Sequence, residues 1–203
     1  PLWAPWMEGD PDAEFVGRAF FPFMRRKGHV ALIGVSSARA SAPFMATGRV
    51  GRGQTERLRA LLREAGAEGL FRVVLIHHPP KMLDPRNSWR RLTDGSRLRA
   101  AIEADGAELV LHGHDHIRST SEIPGPAGPV PVVGVPAGSG PPTSGRRGGG
   151  YALHDIEERP GRFDLTIIHR GYEEEGRIVE TVRSQYRISR RSPPPAGRAP
   201  SPR

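Results

Sequence analysis

Leu109-Val110-Leu111-His112-Gly113-His114-Asp115-His116 is the stretch on which the fold class turns. An apolar strand runs into a glycine bend that presents two imidazoles two residues apart. Val73-Val74-Leu75-Ile76 ends in the same way, in His77-His78-Pro79-Pro80. Ligands of α/β sheets bind beyond the carboxyl ends of the strands, so the two histidine groups are placed to meet. Imidazole is a common ligand for transition metals. In extended chain, residues i and i+2 point the same way, so His114 and His116 can address one site with Asp115 turned aside. Pro79 and Pro80 stop the preceding strand. His77, His114 and His116 are therefore the candidate metal ligands. His78 and His112 are read as residues that support those ligands or touch substrate.

Working outward, Val30–Ser36 and Phe71–Ile76 read as buried strands. Between them Leu58, Leu61, Leu62 and Ala65 recur at i, i+3, i+4 and i+7, predicting a helix over 54–65 ended by Gly66. Asp94 or Ser96 is placed to cap a second helix that carries Leu98, Ala101 and Ile102 and closes at Gly106. Residues 108–111 form the next strand. Strand, helix, strand, helix, strand implies βαβ units and a mainly buried sheet. Beyond Gly113 the helical period disappears, and 117–123, 130–135, 151–157, 163–169 and 177–187 read as successive strands of a second sheet. Phe163, Leu165, Ile167 and His169 alternate with other residues, as one buried face requires. His154 is expected on an outer strand. The segment 137–150, rich in glycine and carrying Arg146-Arg147, precedes a strand rather than a helix and reads as a loop, not a phosphate cradle. Residues 1–28 read as irregular, with Trp3, Trp6, Phe15, Phe20, Phe21 and Phe23 as packing anchors.

Ile76-His77-His78-Pro79-Pro80 and Gly113-His114-Asp115-His116, with one helix between them, resemble the last two of five ordered blocks in the calcineurin-like metallophosphoesterases. The likeness is strongest to the bacterial cyclic-nucleotide phosphodiesterase-like branch. The family's Asp-x-His, Gly-Asp and Gly-Asn-His-Asp/Glu blocks have no counterpart before residue 77, because Gly9-Asp10 follows no apolar strand. The resemblance therefore implies an α/β chain, the C-terminal part of a truncated αββα fold, that is, a two-sheet β-sandwich flanked by helices. Residues 1–187 would be a partial domain lacking its N-terminal half, and 188–203 a disordered basic tail rich in Pro and Arg. The implied activity is hydrolysis of a small phosphoester or phosphodiester by two divalent ions, Mn, Fe or Zn. His77 and His114 would serve one ion and His116 the other. The remaining ligands and the proton-donating His would lie in the missing half, so no catalytic acid is assigned and the chain alone is expected to be inactive.

Composition narrows the classes. With no cysteine, disulfides and thiolate zinc sites are ruled out. No apolar run approaches the roughly 18 residues of a membrane-spanning helix, so no membrane partner is expected. The absence of cysteine fits a cytoplasmic location, with export left open because the N-terminal part is expected to be missing. The net charge of +8 owes five units to Arg187, Arg190, Arg191, Arg198 and Arg203, in a stretch without acids. Such a tail reads as solvated chain rather than a nucleic-acid surface. Two other readings of the residues stand beside the first. One is a mononuclear hydrolase or metal-binding module using three histidines and an open fourth position. The other is a basic binding protein with structural histidines.

Overall fold

The computed structural model describes residues 21–82, 84–138, 148–172 and 176–190. Four strands apolar on both faces lie parallel at the centre of a six-stranded mixed sheet: β2 (Val30–Val35), β3 (Phe71–Ile76), β4 (Leu109–His112) and β6 (Val130–Gly134). Two edge strands run antiparallel to them, β1 (Phe23–Lys27) beside β2 and β5 (Ser119–Ile123) beside β6. β7 (Gly150–Arg159), β8 (Arg162–Tyr172) and β9 (Ile178–Ser189) form a separate antiparallel sheet. The helices are α1 (Arg52–Ala67) and α2 (Gly95–Asp105), with a 3-10 segment at Pro85–Arg90.

The large sheet is covered on both faces. Leu58, Leu62 and Ala65 of α1 and Leu98 and Ile102 of α2 pack on Ile33, Val74, Val110 and Val132. On the other face Phe71, Val73, Leu109 and Val133 meet Phe163, Leu165 and Ile167 of β8. The Phe71 and Phe163 rings meet edge to face at 5.3 Å, and the His29 Nε2–H donates to the Ile156 carbonyl at 3.0 Å. The layers are thus helix, sheet, sheet. Both described helices lie on one side, whereas helices on both sides were expected. No described helix is long and apolar enough to cross a membrane.

Several expectations need correction. Residues 23–27 form β1 rather than irregular chain, because Gly28 (φ 56°) turns Phe23–Lys27 back onto β2. Residues 119–123 and 130–134 join the first sheet, not the second. Every residue of β6 is buried, which suits a strand covered on both faces. Helix α1 runs through Gly66, where a Cβ would stand 2.6 Å from Arg72 Nη1. Asp94 sits at the start of α2 but does not cap it with its side chain. Its carboxylate instead accepts from the Val50 and Gly51 amides at 3.0 and 2.8 Å, tying down the entry to α1. β9 runs Ile178–Ser189, two residues beyond the end of the strand expected over 177–187. Phe163, Leu165, Ile167 and His169 are all buried, as their alternation requires. The aromatic anchors before Phe21, the Arg146-Arg147 pair and the tail beyond Arg190 lie outside the described residues.

Arg72 fastens the first βαβ unit together. It is 5% exposed, and its Nε and Nη2 donate to Glu108 at 2.9 and 2.6 Å. Nη1 donates to the carbonyls of Leu62 and Asp105 at 3.1 and 2.8 Å, so the guanidinium joins both helices to the starts of β3 and β4.

Candidate metal centre

β3 and β4 pair in parallel with Ile76 opposite His112, so their exits open side by side. The Gly113 amide donates to the His77 carbonyl at 3.1 Å and fixes the spacing of the two loops. His114 Nδ1 then stands 3.1 Å from His77 Nε2, with ring centroids 4.9 Å apart and planes at 74°. Two nitrogens bound to one ion at 2.0–2.1 Å, with an angle near 95–110°, lie about 3.0–3.4 Å apart. Without an ion the two rings share an N–H···N hydrogen bond, and the same 3.1 Å falls within the spacing of two ligands on one ion. His77 is exposed and His114 is 8% exposed. His114 Nε2 is buried without a hydrogen-bond partner among the described residues. An ion on Nδ1 would not reach Nε2, which points away from it across the ring, so Nε2 stays a buried N–H with no such partner, at a cost of about 1–3 kcal/mol.

The His114 backbone is held in a left-handed conformation, φ 68°, which is uncommon for a residue with a side chain. Arg90 hydrogen-bonds the His114 carbonyl and so helps to hold the turn. Below His114 lies His78, centroid to centroid at 4.1 Å. His78 has no free lone pair. Its Nε2–H donates to Ala46 O at 3.0 Å, and its Nδ1 accepts from the Ser37 hydroxyl at 2.8 Å. Gly48 makes room for that ring, since a Cβ there would lie 2.5 Å from Nδ1. His78 is thus a floor for His114. His112 is buried, its Nδ1–H donating to Gly113 O at 3.0 Å. Its Nε2 faces the Ser119 hydroxyl at 3.4 Å, so it too shapes the turn.

His116 stands elsewhere. It is exposed, with φ 55°, and no ring or hydrogen-bond contact joins it to the other imidazoles among the described residues. Two successive left-handed histidines end the strand alternation that put His114 and His116 on one side. Among the described residues no three His, Asp or Glu side chains converge on a metal-sized space, so two imidazoles meet where three were expected. A two-ion centre is not assembled from these residues alone. Sequence reasoning missed Ser37, Ala46, Gly48 and Arg90. They act across tens of residues of chain, and no motif marks them.

Burial first, then the nearby His78, Arg90 and His77, lowers the His114 pKa from 6.5 to about 4. Burial likewise pushes His78 and His112 down. These rings are neutral near pH 7, the form that binds metal. An unfolded His takes a proton below about 6.5, whereas folded His114 resists until about 4, so falling pH favours the unfolded chain across that window. In chelator, urea midpoints should be highest above pH 6.5 and drop steadily toward pH 4. His114→Gln should flatten part of that slope. A pH dependence identical in the variant would show that His114 is not held neutral.

No family model matches the sequence, and no curated protein matches it. Solved structures do, at low similarity. GAP50, the anchor in the inner membrane complex of Plasmodium, is 13% identical with a TM-score of 0.44. That match covers 80% of this chain and 50% of the GAP50 chain, so this chain spans half the length of that relative. A single mutant of Vps29 from Entamoeba histolytica is 11% identical with a TM-score of 0.32, covering 76% of this chain and 98% of the other. Wild-type Vps29 from the same organism, complexed with zinc, is 9% identical with a TM-score of 0.30, covering 77% and 98%. All of these TM-scores are below 0.5, and the matches decide neither fold family nor activity.

Proposed function

We propose that this chain carries the histidine side of a metal-dependent phosphoester hydrolase site, with His77 and His114 holding one divalent ion. The 3.1 Å separation of His114 Nδ1 and His77 Nε2 is the observation that carries this reading. A dication bound there would offset phosphate charge and make a coordinated water acidic. The chain's own residues supply the setting. His114, kept neutral by burial, offers a lone pair at neutral pH. His78, fixed by Ser37 and Ala46, stops its ring from tilting away. Arg90 holds the backbone that aims it. Fe and Zn suit imidazole donors better than Mn, which favours oxygen ligands, and the substrate class is a small phosphoester. The mononuclear reading with three histidine ligands loses its third donor here, since His77 and His114 meet and His116 does not join them among the described residues.

Titration with Co(II), followed by its visible absorption, tests the site directly. One ion per chain is expected. His77→Ala and His114→Ala should each weaken binding by at least about 100-fold, since half of the converging donors are lost. His154→Ala, on the inner face of β7, should leave it unchanged. Wild-type affinity in the double variant His77→Ala/His114→Ala would refute the assignment.

A further inference from the structure

A shallow, largely open cleft of about 470 Å³ lies at the carboxyl ends of β2, β3 and β4, and His77 and Gly113 form part of its lining. Phe21, Phe23, Leu75 and Leu111 supply half of the rest, with Gly34, Val35, Ile76 and His112 completing it. Leu75 and Leu111 are only half-buried, although their neighbours on the same strands are buried, because they lie on the cleft floor. The walls are preformed. Phe23 pairs with Gly34 across β1 and β2, and its ring fills the place of the absent side chain, where a Cβ would stand 2.4 Å away. Arg57 Nη2 donates to the Phe21 carbonyl at 3.0 Å. The Phe21 and Phe23 rings are tilted at 52°, with centroids 5.5 Å apart.

We propose that this cleft receives the organic group of the phosphoester and selects a flat apolar one, such as phenyl, over a small or hydroxylated one. The proposal rests on the metal reading above, because His77 belongs to both the cleft and the ligand pair. The volume lies within the range of small-molecule sites, roughly 300–1,000 Å³. A sugar or glycerol seated there would lose water without finding hydrogen-bond partners on the phenylalanine and leucine walls. An aromatic ring would bury apolar surface and meet two phenylalanines already inclined to each other, in the edge and offset contacts that aromatic pairs favour. Phe21 and Phe23 are therefore the specificity-determining residues, and Gly34 positions Phe23.

The test compares phenylphosphonate with methylphosphonate on the zinc-loaded full chain by calorimetry. Both carry the same charged head, and only the first fills the cleft. Phenylphosphonate should bind at least ten times more tightly. Phe21→Ser should cut that ratio to below threefold and leave the methylphosphonate Kd within twofold. Gly34→Ala, which displaces the Phe23 ring, should do the same. If methylphosphonate binds and phenylphosphonate binds no better, the cleft proposal fails and the metal reading stands. If zinc binds but neither phosphonate does, the phosphoester reading itself fails, and the cleft proposal with it. A large drop in the melting temperature of Phe21→Ser would assign the cleft to the structural core and overturn its role in binding.

Discussion

Arg72→Met lowers the free energy of unfolding by about 3–5 kcal/mol, the usual cost of breaking a buried ion pair by removing one partner. The guanidinium is 5% exposed, and the Glu108 side chain facing it is 11% exposed. Methionine fills much of the volume but leaves the carboxylate without its counter-charge. It also strands the Asp105 carbonyl at the end of α2, which Nη1 serves, whereas the Leu62 carbonyl lies within α1 and has a helical donor. The Arg72 and Glu108 amide contacts do not compensate, since the Arg72 N–H bond to Glu108 Oε2 at 2.6 Å is already made. Urea unfolding at neutral pH measures the loss. The double variant Arg72→Met/Glu108→Leu should recover much of it, because an apolar pair removes the buried charge altogether. A single-variant loss below about 1 kcal/mol would mean that the layers are held by apolar packing alone.

That site also shows where a sequence can mislead. Gly66 and Gly106 look like helix terminators, and Gly106, with φ 90°, does end α2. Yet a Cβ at either position would stand 2.6 Å from an Arg72 nitrogen, so both glycines also make room for the guanidinium. Central strands and helices were legible because their signals are local: unbroken apolar runs for β3 and β4, a 3.6-residue period for α1. β1 was not, since Phe23-Met24-Arg25-Arg26-Lys27 is mostly polar and becomes a strand only by pairing with β2. The placing of β5 and β6 was hidden for a similar reason. Strand order is a non-local property, and a long connection after Gly113 can rejoin the first sheet as readily as start another.

At the candidate centre, the strand-end histidines were legible and their division of labour was not. His77 and His114 meet because β3 and β4 are parallel neighbours, which the βαβ pattern implies. His78 and His116 follow the same two strands, but Ser37 and Ala46 fasten the first and a left-handed backbone turns away the second. Neither partner residue nor φ angle can be read from a run of histidines. The alternation rule applies to extended chain, and the chain stops being extended at Gly113.

The isolated 203-residue chain should release no p-nitrophenol from bis(p-nitrophenyl) phosphate above a metal-matched blank, with Mn, Zn or Fe(II) supplied. Hydrolysis of a phosphodiester by a two-metal site needs a hydroxide shared between two ions and an acid for the departing oxygen. Two imidazoles converge here, and neither adds negative charge to hold a second dication. Asp115 is close enough to influence His114, His78 and His112 electrostatically, but no hydrogen bond brings its carboxylate to them among the described residues. His114, with its pKa near 4, is deprotonated at neutral pH and is a poor proton donor. The donor set thus supports binding of one ion and falls short of the bridged nucleophile. Turnover by this chain that vanishes in His114→Ala but persists in His154→Ala would reverse the conclusion. It would mean that one ion on His77 and His114, with water in its open positions, is enough to activate the nucleophile, which is the mononuclear mechanism.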